Sequence, residues 1–193
     1  ILSGFKAEVF SRELLGLDNA FRANKSREMD FKSYVKYLLK EARRFKVDLR
    51  PAQGDQGYPN LALLRAALCR EKGIDFKRAN DERDELIFRL LKRLPGRRQE
   101  NLAGKVVDFR MGRVSEAAFY KYLLGVSGEA GIDEAEEFPQ LAKYAAYLVI
   151  YARMDNLSLM DEIGSLEERL AETLAENGAQ RELIALARNL EYM

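Results

Sequence analysis

The stretch YVKYLL at residues 34–39 recurs almost unchanged as FYKYLL at residues 119–124, with a spacing of 85 residues. After a loop that is five residues shorter in the second copy, YPNLA at 58–62 matches FPQLA at 138–142 with a spacing of 80. Self-similarity at a fixed period is typical of a repeated structural unit. The sequence therefore predicts a tandem duplication of a unit of roughly 80 residues.

The composition of the two copies indicates helices rather than strands. Leu and Ala are the most frequent residues, whereas Val, Ile and Thr together supply only 16 of the 193 residues. Leu and Ala lose little entropy in a helix, and β-branched residues are those that strands prefer. The predicted class is all-α, arranged either as a short α-solenoid or as two packed pseudo-symmetric helical bundles.

Each copy divides into four predicted helices, A to D, from its apolar spacing and its helix-stop residues. The motif RELLGL at 12–17 resembles RELIAL at 181–186 and, more weakly, ENLAGK at 100–105, so helix D occurs a third time at the start of the chain. The predicted bounds are about 27–45 and 115–124 for helix A, 59–72 and 139–153 for B, 76–94 and 156–177 for C, and 97–110, 179–192 and 11–21 for D.

Local signals support these assignments. Asp75 and Asp155 suit the N-cap of helix C, and Pro59 and Pro139 suit the first turn of helix B. Helix B is apolar on nearly every side, as a central helix should be, and the short B–C turn predicts an antiparallel hairpin of B and C. The glycines of GVSGEAG at 125–131 predict an early end to helix A and a flexible A–B loop.

Charge divides the chain unevenly. The predicted organisation is a leading helix at residues 1–25, which is a cap or the tail of a preceding unit, a first helical unit at 26–112 and a second at 113–193. Residues 1–112 carry net charge +9 and residues 113–193 carry −8, within a total of +1. The first unit is therefore basic and the second acidic.

This asymmetry has three interpretations. The basic unit binds nucleic acid or another polyanion through phosphate contacts, or the two units attract each other within one chain or between chains as a homo-oligomer, or the charges form solvated faces. The candidate residues for binding a partner or a polyanion are Arg43, Arg44, Lys46, Arg50, Arg89, Lys92, Arg93, Arg97 and Arg98.

The residue types that are missing restrict the chemistry. The chain has no histidine, which removes Ser-His-Asp and Cys-His catalysis and histidine metal sites. Its single cysteine, Cys69, aligns with Val149 and is interpreted as an apolar buried position. One cysteine fits a reducing compartment, and we expect a cytoplasmic location. No cofactor, metal site or catalytic residue is predicted.

Two further clusters have a structural and a functional interpretation. Acidic residues on helix C, among them the matched Glu82 and Glu162, could hold Mg²⁺ in an all-helical hydrolase, but acids near a helix N-terminus also favour the dipole. Tyr144, Tyr147 and Tyr151 have helical spacing and could stack on bases or on a peptide. We expect the first two to be core residues and Tyr151 to reach the surface.

The predicted function follows from these features. Stacked helices offer extended surfaces, and the sequence offers no assembled catalytic constellation. We expect a non-catalytic interaction or scaffolding module whose partner is a protein. The first alternative is nucleic-acid binding by the basic unit, and the second is Mg²⁺-dependent hydrolysis with helix carboxylates.

Overall fold

The computed structural model describes residue 6, residues 8–49 and residues 57–191, with only the backbone described from 187 onward. In this part of the chain the structure is helical throughout, without a strand, so the all-α prediction is confirmed. The ten helices are α1 Arg12–Lys25, α2 Phe31–Arg44, α3 Pro59–Glu71, α4 Phe76–Arg93, α5 Gly96–Arg110, α6 Glu116–Glu129, α7 Glu134–Glu137, α8 Pro139–Ala152, α9 Asn156–Leu174 and α10 Gly178–Glu191.

The chain forms two compact units that do not follow the order of the sequence. One unit, which we call the inserted unit, is Asn60–Asp155. The other, which we call the split unit, combines Ile1–Pro59 with Asn156–Met193. Each compact unit thus takes helices from both of the sequence segments that resemble each other. Long-range packing, rather than sequence order, decides which helices share a core.

In the inserted unit, α4 packs against α8, α6 and α5. The sequence predicts that α4 forms a hairpin with its neighbour α3, and this prediction is wrong, since the main partner of α4 is α8. An apolar seam of α4 meets the buried face of α8 in one hydrophobic core. This core contains Leu86, Ile87, Leu90, Leu94, Leu102, Phe119, Tyr120, Leu123, Ile132, Phe138, Leu141, Ala145 and Leu148.

In the split unit, α1, α2 and α9 pack against one another. Leu38, Leu166 and Leu170 are fully buried there. The start of α10 is tied to the segment before α1, because the Gln180 side-chain amide donates a hydrogen bond to the Val9 carbonyl at 2.8 Å. Two distant parts of the chain therefore close this unit.

Helices α2 and α6 begin and end at matching positions, 85 residues apart. Asp30 caps α2 and Ser115 caps α6, each by accepting a backbone N–H three residues later. Lys46 and Gly131 end the two turns with positive φ of 56° and 71°. The predicted early end at residue 124 is wrong, because α6 continues through two glycines to Glu129. Burial of Ser127 on this turn outweighs the cost of about 1 kcal/mol for each helical glycine.

The turns that lead into α1's and α5's following helices also match. Arg27 and Gly112 both have positive φ, of 64° and 69°, and lie 85 residues apart. The sequence motifs of helix D instead suggest a spacing of 88, which sets Arg12 opposite Glu100. The helix bounds and turns favour 85, so the predicted alignment of this helix is wrong by three residues.

Two hydrogen bonds occur in the same arrangement with a spacing of 80 residues. The Asp75 backbone N–H donates to Gln140 Oε1 at 3.0 Å, and the Asp155 backbone N–H donates to Asn60 Oδ1 at 2.8 Å. Asp75 also caps α4 as predicted, accepting the Arg78 backbone N–H at 3.0 Å. Each amide side chain comes from the first turn of a B helix.

Two cation–π contacts repeat in the same way. The Arg89 guanidinium lies 4.9 Å from the centroid of the Phe138 ring, and that of Arg169 lies 5.8 Å from the centroid of Tyr58. Both rings are buried at the entrance to a B helix. Arginine on an aromatic face contributes packing as well as charge. These two arginines therefore have a structural function.

Candidate functional site

The predicted basic residues are distributed over both compact units. In the split unit, Arg43 and Lys46 are exposed, whereas Arg44 forms ion pairs with Glu13 and Glu41 at 3.3 and 3.4 Å. Arg50 lies outside the described residues. The binding role of these residues stays a prediction.

In the inserted unit, two of the candidate arginines have acidic partners. Arg89 is paired with both Glu85 and Glu137, the second at 2.6 Å. Arg98 lies 3.4 Å from Glu129, and both of these side chains are largely exposed. Exposed pairs contribute at most about 1 kcal/mol and are screened by salt. Arg89 is nevertheless less available to a polyanion, because it also covers a buried ring.

The other candidates form a basic cluster at the junction of α4 and α5. Lys92, Arg93 and Arg97 are exposed and form no ion pair with any residue that the structure describes. The Lys92 ammonium lies 4.0 Å from the centroid of the Phe88 ring, which is itself 57% exposed. This cluster has the cations and the aromatic ring that a polyanion contact uses.

Folding removes the charge asymmetry of the sequence at the level of compact units. The inserted unit contains 17 basic and 15 acidic residues, net +2. The split unit contains 15 basic and 16 acidic residues, net −1. A basic stretch and an acidic stretch of sequence thus contribute to the same unit. Electrostatic attraction between segments of one chain explains the pattern without an external polyanion.

The carboxylate of Glu82 serves the start of a helix. Glu82 is 8% exposed, and its Oε2 accepts the backbone N–H groups of Gln140 and Leu141, both at 2.8 Å. Its Oε1 accepts from Arg78 at 2.9 Å. The first N–H groups of a helix have no intrahelical acceptor, so this side chain from α4 caps α8. In the described part of the chain, no group of three or more His, Cys, Asp or Glu residues could hold a metal.

Four aromatic residues form a continuous surface feature of the inserted unit, which we call the aromatic row: Phe76, Tyr144, Tyr147 and Tyr151. Ring centroids are 5.4 Å apart for Phe76 and Tyr144, 6.1 Å for Tyr144 and Tyr147, and 4.8 Å for Tyr147 and Tyr151. These separations are typical of favourable aromatic pairs. The row begins on the core, since Tyr144 also contacts the buried Tyr120 at 5.1 Å.

The row becomes exposed at two of its members. Phe76 is 40% exposed and Tyr151 is 42% exposed, while Tyr144 and Tyr147 are half-buried. The prediction that Tyr151 reaches the surface is confirmed. The prediction that the other two are core residues is correct only for one side of each ring. The α8 helix lies on the core with Ala145 and Leu148, and the tyrosines flank that face.

Acidic residues border the aromatic row. The Tyr144 hydroxyl donates to Glu116 at 3.0 Å, and burial together with this carboxylate raises the pKa of Tyr144. Burial, the neighbouring Tyr151 hydroxyl and the charges of Tyr151 and Glu71 raise the pKa of Tyr147. The phenols therefore stay neutral across the physiological range, and negative charge lies at the edge of the rings.

Cys69 is exposed, so the prediction that it is buried is wrong. Its aligned residue Val149 is also exposed, at 50%. Both lie on helices whose opposite faces contain the buried Leu64 or Leu148. An exposed apolar residue is common on protein surfaces. The alignment identified a shared environment but gave it the wrong exposure.

A pocket of about 80 Å³ lies in the split unit. Its apolar wall contains Phe10, Leu14, Leu17, Phe21, Ala171 and Ile184. Four polar side chains complete the lining, namely Lys6, Asp18, Tyr34 and Glu167. A concave apolar site with a few convergent polar groups is the usual form of a small-molecule site.

The polar groups of the pocket form two pairs. The Lys6 ammonium donates to Asp18 Oδ1 at 2.5 Å, and Arg22 lies 2.5 Å from the other oxygen of Asp18. The Tyr34 hydroxyl donates to Glu167 Oε1 at 2.7 Å. Burial, with the Glu167 carboxylate, raises the pKa of Tyr34, so this phenol remains a donor.

The sequence analysis did not identify this pocket, although the repeat contained a signal. Tyr34 aligns with Phe119, and Glu167 aligns with Ile87 at the spacing of helix C. Phe119 and Ile87 belong to the apolar core of the inserted unit. A polar pair that replaces an apolar pair between copies marks a position with an additional role.

Comparison with known proteins provides no functional assignment. No protein-family model matches the chain, and no curated protein or solved structure matches it. Among the described helices, none is long and apolar enough to cross a membrane.

Proposed function

We propose that the protein is a non-catalytic helical interaction module that binds a partner protein through the aromatic row. The observation that carries this proposal is the exposure of Phe76 and Tyr151 within a row of rings that already contact one another. Aromatic side chains are enriched at interfaces, since they bury a large area with few rotatable bonds. A contiguous aromatic surface gains more from a partner than scattered apolar residues do.

The border of the row favours a basic partner segment. Glu116 is bonded to Tyr144, and the charge of Glu71 acts on Tyr147. Ring faces attract cations, and nearby carboxylates strengthen that attraction. Arginine suits such a surface best, because its planar guanidinium stacks on rings and pairs with carboxylates. The proposed occupant is therefore an arginine-containing segment of another protein.

A peptide titration tests this proposal. A fluorescein-labelled peptide of alternating Arg and Gly is titrated with the full chain, and anisotropy gives the Kd. The double variant Tyr147→Ala/Tyr151→Ala should weaken binding by at least about tenfold, as expected for the loss of two interface aromatics. The control Leu157→Ala removes a residue that is 80% exposed in the split unit, and it should leave the Kd unchanged.

The same titration contains the outcomes that reject the proposal. Equal affinity of wild type and the double variant would remove the aromatic row as the binding surface. A peptide with Glu in place of Arg that binds equally well would contradict the electrostatic argument. Circular dichroism of each variant separates lost binding from lost folding.

We also propose that the chain is a tandem duplication whose copies exchange helix C. The support is the recurrence of unrelated local features at constant spacing: equal helix bounds, positive-φ turns, amide hydrogen bonds and arginine–ring contacts. In this proposal α4, from the first copy, packs on α6 and α8 of the second. The exchange explains why basic and acidic segments contribute to the same unit.

A second candidate function is polyanion binding by the cluster of Lys92, Arg93 and Arg97. Their exposure, without ion pairs to described residues, is the observation that favours it. Charge reversal of all three to Glu should abolish binding of mixed-sequence DNA or RNA, and wild-type affinity should fall steeply with salt. Absence of binding at low salt would reject this candidate.

A further inference from the structure

The pocket of the split unit contains a polar pair that the fold itself does not require. The positions of Tyr34 and Glu167 correspond to Phe119 and Ile87, which are buried at 0% and 8% exposure in the inserted unit. That unit packs the same kinds of helices around an entirely apolar pair. Placing a hydroxyl and a carboxylate in a core costs free energy unless both are satisfied. The polar pair in the split unit is therefore better explained by a ligand than by folding.

The size of the pocket limits the ligand. A volume of about 80 Å³ accommodates roughly five to eight water-sized groups, since one such group needs about 10–15 Å³ of this kind of volume. The wall of Leu14, Leu17 and Ile184 offers space for an apolar chain. A short aliphatic body fits these dimensions, whereas a nucleotide or a peptide does not.

The polar lining favours a cation. It contains two carboxylates, one ammonium and one phenol. Asp18 is already engaged by Lys6 and Arg22, at 2.5 Å each. Glu167, oriented by the Tyr34 hydroxyl at 2.7 Å, is the lining carboxylate whose second oxygen can serve a ligand. Rings on the wall add attraction for a cation.

The pocket itself contains an example of this recognition. The Lys6 ammonium is 94% buried, bonded to Asp18, and 6.0 Å from the centroid of the Phe10 ring. The protein thus already holds one primary ammonium between a carboxylate and an aromatic ring. The Tyr34–Glu167 pair offers the same combination on the opposite wall.

From these observations we propose that the pocket binds a small primary ammonium ion with a short aliphatic body, and that Glu167 is its anionic partner. This site lies in the split unit and contains no member of the aromatic row. It is therefore independent of the proposed protein interaction.

Isothermal titration of the full chain with n-butylammonium chloride at constant ionic strength tests the proposal. Sodium butyrate and n-butanol, which have the same chain and a different head group, are the controls. Butylammonium should bind saturably, and both controls should bind at least about tenfold more weakly. Glu167→Gln should weaken butylammonium by roughly ten- to a hundredfold, the range for one hydrogen bond to a charged group. The matched control Glu172→Gln, on an exposed position of α9, should not change it.

A second variant keeps the test valid if Glu167→Gln does not fold. Tyr34→Phe/Glu167→Ile installs the residues that the inserted unit uses, so it should fold by circular dichroism and show no butylammonium binding. Undiminished binding in this double variant would overturn the proposal. So would equal binding of butylammonium and butyrate to the wild type, or the absence of a saturable signal for butylammonium.

Discussion

Truncation of Glu82 provides a direct test of how the inserted unit is held together. This side chain comes from α4, yet it accepts the first backbone N–H groups of α8, at Gln140 and Leu141. Pro139 begins that helix and has no N–H of its own, so Glu82 satisfies the next two donors. In Glu82→Ala both donors lose their acceptor in a place with little access to water.

The magnitude follows from these two bonds. A hydrogen bond to a charged group contributes about 1.5–3 kcal/mol, and the favourable position at the helix N-terminus adds about 0.3–1 kcal/mol. We therefore expect Glu82→Ala to lower the free energy of unfolding by about 3–5 kcal/mol, a large share of the usual 5–15 kcal/mol. Glu82→Gln retains an acceptor without the charge, and it should lower the free energy by about 1–3 kcal/mol.

Urea unfolding followed by circular dichroism measures these differences. The matched control is Glu85→Ala, which removes an exposed carboxylate from the same helix and should cost at most about 1 kcal/mol. If Glu82→Ala and Glu85→Ala unfold at the same urea concentration, the capping role of Glu82 is refuted. An unchanged m-value would show that the comparison refers to one unfolding transition.

Three further outcomes are expected. Gly131→Ala should lower the unfolding free energy by about 1–2 kcal/mol, because an L-residue is strained at φ 71° even where its Cβ meets no atom within 4 Å; an unchanged stability would contradict this. Since the pKa of Tyr34 is raised above 10.0 in the folded state, its stabilisation is present below that pH and is lost as the pH rises. Tyr34→Phe should therefore reduce the loss above pH 10 by up to about 1.4 kcal/mol per pH unit, whereas parallel pH profiles would exclude this contribution. Cys69 should react with a thiol reagent in the native protein as fast as in urea, and a large protection would show that it is buried.

The helices themselves are well predicted from the sequence. Capping residues such as Asp75 and helix-first prolines such as Pro139 act locally, so their effect is independent of the tertiary structure. The end of α6 was misjudged because glycine propensity is also local, whereas the burial of Ser127 is a tertiary effect that outweighs it.

Long-range packing was less accessible. The tight turn at Asp75 favoured a hairpin of α3 and α4, but a short turn fixes only the proximity of two helix ends. The side chain that links α4 to α8, Glu82, was recognised as a matched acid without its partner. Hydrogen bonds to backbone N–H groups leave no pattern in a sequence, since every residue except proline has such a group.

The site could be predicted only in part. The spacing of Tyr144, Tyr147 and Tyr151 identified the aromatic helix face, but Phe76, which completes the aromatic row, lies on another helix. The pocket residues Tyr34 and Glu167 are 133 positions apart and belong to elements that only the fold brings together. Comparison of each copy with its counterpart, position by position, would have indicated that this pair is unusual.

The most direct test of the proposed interaction is a nuclear magnetic resonance titration of the full chain, carrying labelled tyrosines, with the Arg-Gly peptide. The account predicts saturable shifts of the ring signals of Tyr147 and Tyr151, with no change for Tyr34, which is 2% exposed in the split unit. Saturable binding that leaves the signals of Tyr147 and Tyr151 unchanged would contradict it.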